Sequence, residues 1–338
     1  MTSTRFLFRL PSRCALTAAP LASVAIAFLC GVLAPTIHAQ TWPSRPIRWV
    51  LPYPAGGSGD VLTRTVAQQL SLRLGQPVSV DVRPGANGLI GTDLVAKSAP
   101  DGYTIVLGVI GPLSVLPHLM KMQYDPVKDL APVSMLASVP NIAVVRKDSP
   151  IRSLQELVDA ARARPGEITY GTTGIGSSGQ LSAGLLGGAS GARFANIGYG
   201  GGAPAMIDLL AGRLGFMFDN APTAAARIKS GDLRALAITS LRRSSVMPEI
   251  PTVAEQGYAG YEAGSWFGAL VAAGTPAAVI ERLNSEIVAV LKDPATNAQL
   301  TRQMFDVTPS TPAEFAQFID SESRKWAKVI RDNNIKAE

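Results

Sequence analysis

"IRWVLPYPAGGSGDVLTRTVAQQL", residues 47–70, decides the fold class. The apolar run Ile47 to Leu51 reads as a short buried strand. A glycine turn follows, and then Leu62, Val66, Leu70 and Leu74 recur every four residues, one stripe of a helix that Gly75 ends. Strand, glycine loop and helix start, in that order, place backbone N–H groups where an anion can sit. Asp60 is expected to cap the helix.

The same order returns along the chain. "VSVDV" (78–82), "YTIVLGV" (103–109), "NIAVVRKDSP" (141–150), "ITY" (168–170), "FANIGYG" (194–200), "LGFMFDN" (214–220), "LRALAIT" (233–239) and "SWFGALVAAG" (265–274) read as strands. Helices are expected over 153–166, where Ser153 and Glu156 form a capping box, and over 275–293, with Thr275 as cap and Pro276 first. A further helix over 311–333 opens with the box Thr311–Glu314. Strands alternating with helices predict α/β layers around mainly parallel sheets. About 300 residues is large for one core, so two lobes facing across a cleft are expected, with ligands beyond the strands' carboxyl ends.

The first 40 of the 338 residues stand apart. Arg5, Arg9 and Arg13 make a basic start, Ala15 to Leu33 is apolar and rich in small residues, and Ala39 offers a cleavage point. This layout predicts a secretory signal peptide over 1–39 and a soluble, exported product. Its removal takes Cys14, Cys30 and His38 with it, leaving no cysteine and one histidine, His118. It also takes three of the 31 basic residues, leaving 28 against 25 acidic ones, a net +3. A chain so nearly neutral lacks the basic face that nucleic acid requires. Disulfides, thiolate nucleophiles and cysteine-ligated metals are excluded. No serine lies in a G-x-S-x-G elbow, and His118 reads as a surface or partly packed residue.

The glycine loops carry what chemistry there is. "GGSGD" lacks the lysine of a phosphate-binding Walker loop. Gly174, Gly176 and Gly179 are spaced G-x-G-x-x-G after a strand, but the next strand ends without the acid that a dinucleotide site needs, so no cofactor is implied. The hydroxyls of Thr172, Thr173, Ser177 and Ser178 suit an anion cradle. Gly200, Gly201 and Gly202 precede another helix, and Asp219 and Asn220 close a strand, either as helix caps or facing a ligand. Donor-rich loops without a nucleophile, base or metal cluster describe a binder. A secreted α/β enzyme acting on a carboxylate remains as an alternative, with Asp60 or Asp219 as its base.

Five stretches taken together resemble a known family. "WPSRPIRWVLPYPAGGSGDVLTRTVAQQL", "VDVRPGANGLIGTDLVAKSAPDGYTIVLG", "YDPVKDLAPVSML", "GYGGGAPAMIDLLAGRLGFMFDN" and "RALAITSLRRSSVMPEIPTVAEQG" look like the periplasmic solute receptors of tripartite tricarboxylate transporters, the Bug family. The resemblance implies a type II-like periplasmic binding protein fold with two chain crossovers. One lobe would take residues 41–141 and 263–338, and the other 142–262. It implies a small organic carboxylate held partly through water by loops Tyr53–Asp60, Gly171–Gln180 and Tyr199–Ala203, and lobes that close on it. The residues expected there are Tyr53, Ala55, Gly56, Gly57, Asp60, Thr172, Thr173, Ser177, Ser178, Gln180, Gly201, Gly202 and Asp219; Tyr53 and Trp266 read first as lobe packing, with stacking on a ligand ring as the alternative. The expected partners are membrane transporter subunits or, alternatively, a membrane sensor, with the receptor a monomer. Gln180 and Gly200 stand where the family often carries histidine and lysine, which lowers the positive charge, so a larger or less charged acid fits at least as well as a di- or tricarboxylate.

Overall fold

A computed structural model describes residues 42–332. The expected signal segment lies outside them. Among the described residues no helix is long and apolar enough to cross a membrane.

The first strand, β1 (Ile47–Leu51), leads into α1 (Ser58–Leu74), then β2 (Val78–Val82), α2 (Leu89–Ala96) and β3 (Thr104–Val109). These strands lie parallel in the order β2-β1-β3. All four leucine and valine positions of the predicted stripe in α1 are buried, and Gly75 ends the helix at φ 65°.

The long strand β4 (Leu130–Arg146) follows, then α3 (Leu154–Ala163), β5 (Thr169–Thr172), α4 (Ser178–Ser190), β6 (Ala195–Gly198), α5 (Gly202–Leu210), β7 (Phe216–Asn220), α6 (Ala221–Lys229) and β8 (Leu233–Ile238). Here β6, β5 and β7 are parallel. The chain ends with β9 (Gly264–Ala272), α7 (Ala277–Lys292), α8 (Pro294–Arg302), β10 (Asp306–Val307) and α9 (Pro312–Asp332).

β4 and β9 join the two parallel sets, and they differ from the sequence expectation of mainly parallel sheets. β9 runs antiparallel to β3 on one side and to residues 130–140 of β4 on the other. At Asn141 the partners of β4 change, and residues 141–146 run antiparallel to β7 and β8. Sequence reading starts this strand at 141, because Pro132 and Pro140 interrupt the segment before it. The strand absorbs Pro132 at a register shift, which is where a ladder tolerates a residue without an N–H.

Caps follow sequence in part. Thr311 and Glu314 exchange the two hydrogen bonds of a capping box. Ser153 accepts from the Glu156 amide, but the Glu156 carboxylate accepts from Arg152 instead of closing the box on Ser153. Thr275 does not cap α7: its hydroxyl turns back to the Ala272 carbonyl, and Pro276 holds the cap position.

Three apolar clusters hold the sheet. One gathers Trp49, Leu107, Leu283, Phe315 and Trp326 around the β1–β3–β9 region. The other two take opposite faces beyond Asn141, with Tyr170, Phe216 and Leu157 on one and Met206, Met217 and Ile238 on the other. Gly268 sits where β9 meets α9, and a Cβ there would stand 2.0 Å from the ring of the fully buried Phe315. The ring cannot swing aside in a close-packed core. Gly268→Ala is therefore expected to cost about 1–3 kcal/mol, read as a lower urea midpoint. The double variant with Phe315→Leu should recover part of that loss, and additive losses would contradict the contact.

Candidate functional site

A cavity of about 640 Å³ opens between the two parallel sets. Its wall includes the start of four helices: Gly57, Ser58 and Gly59 of α1, Ser177 and Ser178 of α4, Gly202 and Ala203 of α5, and Asn220 ahead of α6. A helix start leaves its first amides without intrahelical acceptors and carries partial positive charge. Four of them lining one space make a donor-rich, electropositive wall without requiring a lysine.

Two of these starts are built alike. Gly56-Gly57-Ser58-Gly59-Asp60 and Gly176-Ser177-Ser178-Gly179-Gln180 both fold a side chain back onto an amide four residues earlier. The Gly56 N–H donates to Asp60 Oδ2 at 3.0 Å, and the Gly176 N–H donates to Gln180 Oε1 at 2.7 Å. Each fourth residue is a glycine packed on its sheet. A Cβ on Gly59 would lie 2.9 Å from Leu107, and one on Gly179 would lie 2.8 Å from the Phe218 carbonyl oxygen. The correspondence was available in the sequence, and a search for short-period repeats misses it because the copies lie 120 residues apart.

This corrects the role of Asp60. The helix cap is Gly57, and Asp60 lies in the first turn, where it holds the loop and pairs with Arg64 at 2.6 Å. Of the expected site residues, Tyr53, Gly56, Gly57, Thr173, Ser177, Ser178, Gly202 and Asp219 line the cavity. The others stand behind or beside it. Gln180 is tied to Gly176, Thr172 bonds Asn196 and the Gly174 amide, and Gly201 packs on Pro54. Ala55 is exposed beside the loop.

Trp266 lies away from this cavity. It is buried edge-on against Phe315 and Phe318, at 5.7 and 5.4 Å between centroids, so it packs and does not stack on a ligand here. His118 is exposed and meets Ser323 at 2.8 Å. Among the described residues no three histidine, cysteine or acidic side chains gather to hold a metal.

Two asparagines do much of the joining: Asn220, expected as a cap or facing a ligand, and Asn87, which sequence reasoning did not single out. Asn87, in the turn before α2, donates to the Ile175 carbonyl at 2.7 Å and accepts from Thr173 at 3.4 Å, linking loops of the two parallel sets. Its φ of 50° is left-handed, a conformation asparagine tolerates better than most residues. Tyr53 donates to its carbonyl at 3.0 Å. Asn220 accepts from Ser58 at 2.8 Å and donates to Asn141 at 2.6 Å. Only the turn-forming "GANG" hinted at Asn87.

Residues 62–335 match the family model of the tripartite tricarboxylate transporter family receptors, TctC. The chain belongs to this family. Protein BugT of Bordetella pertussis is 40% identical over 308 residues, covering 90% of this chain and 94% of BugT. The structure of R. palustris Rpa4515 with adipate has a TM-score of 0.85 at 34% identity, over 87% of this chain and 99% of that one. MatC from Rhodopseudomonas palustris with bound malate has a TM-score of 0.81 at 28% identity, over 86% and 100%. This TctC receptor shares the two-domain α/β fold of the solved relatives.

Within the TctC receptor's cavity the ionisable side chain of greatest consequence is Asp219. Burial pushes its carboxyl up to about 6, against the lowering effect of hydrogen bonds from Thr223 (2.7 Å) and the Asn220 amide. Its folded value exceeds its unfolded one. Its contribution therefore favours folding at low pH and is lost as pH rises from about 4 through about 6. A shift of this size corresponds to about 3 kcal/mol. Asp219→Asn should flatten that segment of the stability profile, read as urea unfolding free energies near pH 4.5 and near pH 6.5. An unchanged difference between the two pH values would place the titration elsewhere.

Proposed function

We propose that this receptor binds a small organic carboxylate in the periplasm and hands it to membrane subunits of a tripartite transporter. The observation that carries the reading is the four helix starts lining one cavity, in a chain whose relatives were solved with adipate and malate. Backbone amides and helix dipoles hold a carboxylate well, and bridging water serves where the fit is loose.

Export follows from the basic start and apolar stretch of residues 1–39. The lobes are taken as 41–141 with 263–338, and 142–262. This division is supported by the change of partners in β4 at Asn141 and by the return of the chain near Gly264. Closure of the lobes over the ligand is supported by the hydrogen bonds of Asn87 and Ser58 across the cavity. The receptor acts as a monomer and leaves its ligand unchanged. Two of the cavity's hydroxyls donate to a carboxylate: Thr223 to Asp219, which also receives the amide ahead of α6, and Ser230 to Asp232, which is paired with Arg227.

Titration with acetate, malate, adipate, benzoate and citrate, followed by tryptophan fluorescence and by mass spectrometry of the recovered acid, tests this reading. Binding of at least one acid, returned intact, is expected. Silence from refolded, ligand-free protein, or a chemically altered acid, would refute it. A Cβ on Gly57 meets nothing within 4 Å, and its φ of −86° suits any residue. Gly57→Val should therefore keep the melting temperature and lose binding at least tenfold, by filling the cradle. Asn87→Gly keeps the left-handed turn and removes only the bridging amide. It should speed ligand release about tenfold in stopped-flow measurements, and an unchanged off-rate would show that the bridge does not hold the closed form.

A further inference from the structure

The cavity does not stop at the helix starts. Its lining continues down one face of α5, through Met206, Ile207 and Leu210, and down the facing side of α6, through Pro222 and Ala226. The spacing of three and four residues is that of a single helix face. Both helices pack on the same face of the sheet and share one core cluster, so the trough between them has a fixed floor. From Asn220 to Arg227 it runs about 10 Å at the helical rise. Ile207, an isoleucine 63% exposed, forms part of its rim.

The charges along this path are few and placed at its two ends. Asp219 stands at the cradle, and Arg227 stands at the outer mouth with Ser230. Arg227 is already matched by Asp232 at 3.3 Å, and Asp232 also accepts from Ser230 at 2.7 Å. The trough therefore offers no uncompensated cation. A compact acid with several charges would bring them close to Asp219 with amides alone as partners, an expensive burial.

We infer that the trough between α5 and α6 is a subsite for an apolar ligand body, so that the receptor selects an elongated acid with one carboxylate in the cradle over a compact polyacid. This inference rests on the carboxylate reading above and adds the part of the ligand that reading leaves open.

The test is calorimetric titration of the purified receptor with butanoate, hexanoate, octanoate and citrate. Affinity is expected to rise about fourfold for each added methylene that enters the trough. Octanoate should bind at least tenfold more tightly than citrate. Ile207→Ser and Ala226→Trp alter exposed positions and leave the cradle intact. Each should weaken octanoate several-fold and leave butanoate unchanged. Citrate binding more tightly than octanoate, a flat length series, or equal losses for octanoate and butanoate would each overturn the subsite while leaving carboxylate binding in place. Absence of response to all four acids and to malate and adipate would instead remove the carboxylate reading itself.

Discussion

The receptor depends on how closely two helices approach the strands behind them. Gly59 and Gly179 are the contact points, and neither has room for a methyl group. The two constraints are unequal. The neighbour of Gly59 is the end of a leucine side chain, which can move by a rotamer change. The neighbour of Gly179 is the carbonyl oxygen of Phe218, which is held in the β4–β7 ladder. A side chain at 179 would therefore lift the start of α4 and carry Ser177 and Ser178 out of the cavity wall. The folded-back Asp60 and Gln180 complete the arrangement by fixing the loops from the other direction. Packing behind and hydrogen bonding in front leave the intervening amides aimed at one space.

A polar cluster couples that space to the place where the chain passes between the two halves. Asn141 is fully buried at the change of partners in β4. Its amide donates to Thr239 at 2.7 Å, its side chain donates to Ser182 at 2.9 Å, and its side-chain oxygen accepts from Asn220. Asn220 in turn accepts from Ser58 on the opposite wall. Buried polar groups hold one geometry when all are paired, because each unpaired partner would cost about 1–3 kcal/mol. The point where β4 changes partners therefore connects to the cavity wall by an unbroken run of hydrogen bonds.

Much of this was legible in the chain itself, and the parts that were not have identifiable physical causes. The α1 stripe, the Thr311–Glu314 box and the strand–loop–helix order follow from local periodicity and capping, which short stretches encode. The residue types in the three glycine loops identified a donor-rich site, and eight of the thirteen residues expected there line the cavity. Asp60, Thr172 and Gln180 stand one layer back because their side chains satisfy loop amides, a choice set by three-dimensional reach. The first half of β4 was hidden by two prolines, of which Pro132 sits at a register shift and Pro140 at the last pair of the ladder with β9. Asn87 was hidden because its function lies in bonds to Thr173 and Ile175, nearly 90 positions away. Trp266 takes the packing role that was the first of its two readings, and its burial serves the core.

The absence of a lysine or arginine from the glycine loops fits the work of a receptor that must also let go. A buried guanidinium would strengthen the grip on an anion, but it would need its own partner whenever the site stood empty. Amides at helix starts carry no such requirement, since water can satisfy them in an empty site and, on the proposed reading, the ligand replaces that water. The attraction they supply is spread over several dipoles and falls off within a turn of helix. Opening the cleft by a few ångströms would then weaken the hold on all sides together. On the proposed reading, binding and release are set by the position of one half relative to the other, and the fold supplies that control through the Asn141 crossover.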